Sequence, residues 1–184
     1  MENRSGSVIA AVIAAVAIAV SAACTPGKTS PGPKPTAPSL TAPSLSGQAL
    51  SEQQALQAYR GMWHAYAMAG QSTSSQNSDL DRYTDADALA ALKAGLATNR
   101  SQGLISQGEP VTNPVVVQLD PPGAPTSVEI RDCLDTTNFL RTKADGSSFT
   151  DTPGGRRQVT ATVKKLADQW KVTKFIPGEV GSCA

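Results

Sequence analysis

The sequence predicts an α+β fold, in which N-terminal helices pack on an antiparallel sheet. Three observations predict it. Apolar residues recur at helical spacing between positions 52 and 96; from 104 onward they alternate or gather in short Val-rich runs; and Gly, Pro and Asp cut the second half into strand-length pieces. Helices first and a meander of strands after suits helices gathered on one side of an antiparallel sheet. Residues 1–23 read as a signal peptide, 24–48 as a tether and 49–184 as one domain, long enough for a single core.

The apolar run Val8–Val20 is unbroken. At about 13 residues, against the roughly 20 needed to span a bilayer, it has the length of a secretory signal core. Ser21-Ala22-Ala23 and then Cys24 follow. A cysteine directly after small residues at this place resembles the lipobox of bacterial lipoproteins, which implies a diacylglycerol on the Cys24 thiol. It also implies a chain held on the outer face of the cell membrane, since two or three acyl chains approach permanent anchoring where one does not. Ser21 stands where that family usually has an aliphatic residue, and Ser21-Ala22-Ala23 also fits ordinary signal cleavage; a freely secreted chain is the alternative. Thr25–Gly47 is rich in Pro, Ser, Thr and Ala and repeats Thr36-Ala-Pro-Ser-Leu40 as Thr41-Ala-Pro-Ser-Leu45. Such composition buries too little apolar surface to offset chain entropy, and its prolines favour an extended spacer reaching on the order of 70 Å.

Ser51-Glu52-Gln53-Gln54 reads as a capping box. Behind it Ala55, Tyr59, Met62, Trp63 and Tyr66 share one face of a helix over 52–69, with Gly70 as its stop. Gln71–Ser78 reads as a loop, and Ser78 as the cap of a short turn carrying Leu80 and Tyr83. Thr84 is the expected cap of a second helix, with Asp85 and Asp87 in its first turn, where the helix dipole favours negative charge. Leu89, Leu92 and Leu96 form its stripe; Arg100 lies near its end and Gly103 beyond.

Strands are expected at 104–109, 114–119, 127–135 and 138–142. In the third, Val128, Ile130, Asp132 and Leu134 alternate with Glu129, Arg131, Cys133 and Asp135. Asp145-Gly146 and Pro153-Gly154-Gly155 are turns, and 157–166 with 170–176 form a hairpin across Ala167-Asp168-Gln169.

This order, with the aromatic first helix, the Leu-rich second helix, Ile130-Arg131-Asp132-Cys133 and the closing Trp170-Lys171-Val172, resembles the cystatin-like, nuclear transport factor 2-like superfamily. The resemblance implies a strongly bent antiparallel sheet forming a cone with a pocket. More narrowly the chain is similar to an uncharacterised secreted and lipid-anchored family from high-GC Gram-positive bacteria. Asp120-Pro121-Pro122, Arg131-Asp132-Cys133, Thr152–Arg157 and Gly181-Ser182-Cys183 carry that likeness. The fold hosts enzymes, binders and adaptors, so it does not name an activity.

The net charge is +1 and the basic residues come at most in pairs, Arg156-Arg157 and Lys164-Lys165, which argues against nucleic acid as a partner. With Cys24 taken by lipid, Cys133 and Cys183 are an even pair in an oxidising compartment and are expected to be bonded. A single His and no Cys-x-x-Cys leave no metal site, and no cofactor fingerprint appears. His64, as a histidine, is one candidate base. Asp132 is another if burial raises its pKa; it is equally placed to pair with Arg131 or Arg141. Tyr59, Trp63, Tyr66 and Tyr83 are either a pocket lining or plain core. The favoured expectation is a non-enzymatic, membrane-tethered module that binds a small apolar ligand or an envelope protein. The alternative is an isomerase or dehydratase of the same superfamily, using Asp132 or His64.

Overall fold

The computed structural model describes residues 46–74 and 79–183. The signal peptide, Cys24, the tether up to residue 45 and Ser78 lie outside the described residues, while Ser46–Gln48, read as the end of the tether, cap and open the first helix. The fold is α+β, with three helices followed by six strands in two antiparallel sheets among the described residues.

Helix α1 spans Gly47–Gly70 and starts one turn earlier than the capping box suggests. Ser46 is the N-cap, its Oγ accepting from the Ala49 N–H at 3.2 Å. Ser51 instead donates back to the Gly47 carbonyl, as a hydroxyl inside a helix can. Two serines competed for one role, and the upstream one gains an extra turn of backbone bonds. Tyr59 and Met62 are fully buried on the inner face. Gly61 sits in mid-helix because the Tyr83 ring packs over it; a Cβ there would meet that ring at 2.5 Å.

Helix α2 is the single turn Leu80–Tyr83, and α3 spans Ala86–Ser101. The cap of α3 is Asp85, whose carboxylate accepts from the Ala86 N–H, and not Thr84. Thr84 is buried: its hydroxyl donates to the Leu80 carbonyl, and the residue bridges to Val172 of the sheet. A threonine bound to its own turn and to a strand is unavailable to a helix end.

The strands are β1 (Leu104–Gln107), β2 (Val115–Asp120), β3 (Ser127–Asp135), β4 (Leu140–Lys143), β5 (Arg156–Leu166) and β6 (Gln169–Pro177). They form a four-stranded sheet in the order β2-β3-β5-β6 and a separate ribbon of β1 with β4. One continuous sheet was the simpler expectation. Pro110 and Pro114 lack the N–H that would carry pairing from β1 into β2, and a turn at 135–139 ends β3. Bulges between Val116 and Gln118 and between Thr162 and Val163 break the register, and bulges bend the strands that carry them. The β5–β6 loop is only Ala167-Asp168, with Leu166 and Gln169 already paired.

The core lies between α1, α3 and the sheet. Met62, Leu92 and Leu96 meet Ile130, Val163 and Val172. Trp170 closes one end, its Nε1–H donating to Gln54 of α1 at 3.0 Å.

Candidate functional site

Cross-strand partners in an antiparallel sheet share a face. Leu134 of β3 stands opposite Arg157 of β5, Asp132 opposite Val159, and Ile130 opposite Ala161. On β6, Pro177 stands opposite Val159 and Phe175 opposite Ala161. Leu134, Asp132, Ile130, Val159 and Ala161 are all buried, so this is the face that looks at the helices. Arg157 and Phe175 therefore belong to the inner face as well. Phe175 lies beside Trp63 of α1.

There a cavity of about 460 Å³ opens. Four rings form its apolar wall: Trp63 and Tyr66 of α1, Phe139 from the β3–β4 connection, and Phe175. Trp63 meets Phe175 edge-on at 5.6 Å and Tyr66 at 6.1 Å, while Tyr66 and Phe139 lie 6.0 Å apart. The two edge-on pairs stabilise this wall beyond what area burial provides.

The opposite rim is polar. Arg141 of β4 grips Asp151 through Nε and Nη2, and the Arg141 N–H donates to the same carboxylate. The Arg141 guanidinium holds the Asp151 carboxyl below the usual carboxylate range, against a smaller opposing effect of burial. Burial pushes the Tyr66 phenol up, and the charge of Arg141 opposes it. Arg157 donates to the Gly154 carbonyl at 2.9 Å. It forms no ion pair among the described residues.

The sequence-nominated residues are dispersed. Trp63 and Tyr66 line the cavity. Tyr59 is wholly buried in the core, and Tyr83 packs against Gly61 beside a separate groove. His64 is on the outer side of α1, 61 % exposed, with Nδ1 3.1 Å from Glu109. Asp132 does not line the aromatic cavity. Its Oδ2 accepts from the Tyr59 hydroxyl at 2.9 Å and its Oδ1 from the Asn113 N–H at 2.6 Å. Burial pushes its carboxyl above the ordinary range, and these two donors pull it back. Its partners are therefore Tyr59 and Asn113 rather than Arg131 or Arg141; Arg141 is engaged by Asp151. Neither candidate base lines the aromatic cavity; Asp132 instead borders a separate cavity of about 360 Å³ with Asn113, Arg131 and Gln158.

Cys133 and Cys183 are disulfide-bonded, with Cα atoms 5.7 Å apart. Among the described residues no cluster of His, Cys, Asp and Glu could hold a metal, and no helix is long and apolar enough to cross a membrane. Phe139, Phe175, Asp151 and Arg157 were not singled out from sequence. Arg157 could have been: it continues the two-residue period of Val159, Ala161 and Val163, and a charge on an apolar face is a signal.

No family model matches the chain, and no curated protein matches it. Among solved structures it is similar to the intermembrane space region of the chloroplast protein ARC6. That match has 14 % identity, a TM-score of 0.44, and covers 68 % of this chain and 95 % of that one. It is also similar to the periplasmic domain of DotI, with 16 % identity, a TM-score of 0.41, and coverage of 76 % of this chain and 100 % of that one.

Proposed function

We propose that the protein is a non-enzymatic binding module that takes a small, largely apolar ligand in the aromatic cavity, and that lipid on Cys24 tethers it outside the cell membrane. The cavity carries the reading. Its volume of about 460 Å³ falls within the range of small-molecule sites, roughly 300–1,000 Å³, and its wall is four rings with a few polar groups opposite. The apolar run before Cys24 and the proline-rich segment after it support export and tethering. The cystatin-like cone remains the fold reading that best fits helices laid on a bulged antiparallel sheet.

Native mass spectrometry of the full-length chain, extracted from membranes in mild detergent, tests both halves. The expected result is an acyl-glyceryl adduct on Cys24 and a retained small molecule that Phe175→Ala and Phe139→Ala fail to retain. An unmodified Cys24 N-terminus released into the medium would sink the tether. Retention unchanged in both cavity variants would sink the site.

A further inference from the structure

We infer that the cavity selects ligands carrying a single anionic group, with Arg157 as its anchor and the aromatic wall holding a flat apolar body. This rests on the binding reading above and adds the charge and class of the ligand. Arg157 occupies an inward position on β5. It pairs across the sheet with buried Leu134, and the next inward residues of its own strand are Val159, Ala161 and Val163. Arginine on such a face costs desolvation unless an anion or hydrogen bonds offset it. The charge accounting of the cavity leaves it uncompensated. Its charged lining groups are Arg141, Asp151 and Arg157, and the first two neutralise each other in a forked pair. Arg157 uses Nη2 on the Gly154 carbonyl, one of the five N–H donors a guanidinium offers. That bond steadies the side chain and leaves donors for a ligand. A guanidinium matches a carboxylate in a two-pronged fashion.

The wall opposite defines the rest of the ligand. Trp63, Tyr66, Phe139 and Phe175 offer ring faces and edges within one cavity. Tyr66 adds a hydroxyl that touches the helix at Gly95, where a Cβ would lie 2.9 Å from its oxygen. Gly95 therefore lets the phenol sit against α3. An aryl carboxylate satisfies both halves of this surface, whereas a cation would meet Arg157 unfavourably and a neutral hydrocarbon would leave its half-buried charge unmatched.

Calorimetric titration of the full-length chain with naphthoate and with its methyl ester separates charge from shape. The acid is expected to bind at least about tenfold more tightly than the ester near pH 7, in keeping with a charge-assisted contact. Arg157→Gln is expected to bring the acid down to the affinity of the ester, and Arg157→Lys to keep part of the preference. If Arg157→Gln does not fold by circular dichroism, the acid–ester ratio of the unaltered chain and of Arg157→Lys decides. Equal affinity for acid and ester in the unaltered chain overturns the anion assignment and leaves the apolar cavity standing. Binding of neither overturns both, and a preference that survives in Arg157→Gln removes Arg157 as the anchor.

Discussion

The Tyr59 hydroxyl donates to Asp132 Oδ2 at 2.9 Å, joining α1 to β3 across 73 positions of sequence inside the core. The pair is a structural fastener between helix and sheet, and its pH behaviour follows from its burial. Burial raises the Asp132 pKa in the folded state, so the native chain holds that proton more tightly than the unfolded chain does. Stability must then fall as pH rises from the unfolded carboxylate range through the folded value, and level off above it. Asp132→Asn is expected to flatten this slope while keeping an acceptor for the Asn113 N–H. Chemical denaturation from about pH 4 to about pH 8 checks it; a parallel offset between the two chains would count against the buried titration. Tyr59→Phe, which strips a donor from a buried acceptor, is expected to cost about 1–3 kcal/mol.

The sign reverses at Asp151. Arg141 depresses its pKa, so the contribution of the pair is present above the unfolded carboxylate value and is lost as pH falls through the folded one. Asp151→Asn is expected to loosen the segment 144–155. Hydrogen exchange there should quicken in the variant at neutral pH and in the unaltered chain on acidification; unchanged protection in both would argue that the segment is held by its other bonds.

Ala167 has a φ of +52° at the first position of the two-residue β5–β6 loop, where tight hairpins prefer glycine. Relief of that strain makes Ala167→Gly stabilising by about 1 kcal/mol. Thermal unfolding gives the answer directly, and a lower melting temperature would mean the loop tolerates alanine without strain.

How far the sequence discloses this molecule depends on the range of the interaction. The bounds of β3 are readable to the residue, because strict alternation over Ser127–Asp135 is the signature of a half-buried strand. The cysteine pair follows from arithmetic and compartment. Helix ends are less legible: Ser46 and Ser51, or Thr84 and Asp85, are each chemically fit to cap, and the winner is set by neighbours distant in sequence such as Val172. Tyr83 shares the composition of a pocket residue but is drawn to Gly61, whose missing side chain is the mark of that approach. The cavity is the least legible feature. Arg157 and Phe175 converge through the register of β3, β5 and β6, and Phe139 joins them from the β3–β4 connection, although the period of β5 already marks Arg157 as facing inward.

Trp63 is 8 % exposed and touches the rings of Tyr59, Tyr66 and Phe175. Trp63→Ala is expected to cost about 3–5 kcal/mol, so it reports on folding before it reports on binding. Phe175→Ala, at a half-buried site, is the better probe of the cavity, and the two melting curves should differ in that order.

The disulfide has a consequence for proteolysis. Cys133 and Cys183 are 50 positions apart, and the exposed stretch 144–150 falls between them. A protease that cuts this stretch opens a covalent ring without severing the molecule. The two pieces stay joined through sulfur, and β5 keeps its place beside β3. The nicked chain should run as one species on a denaturing gel until a reductant is added, and as two afterwards.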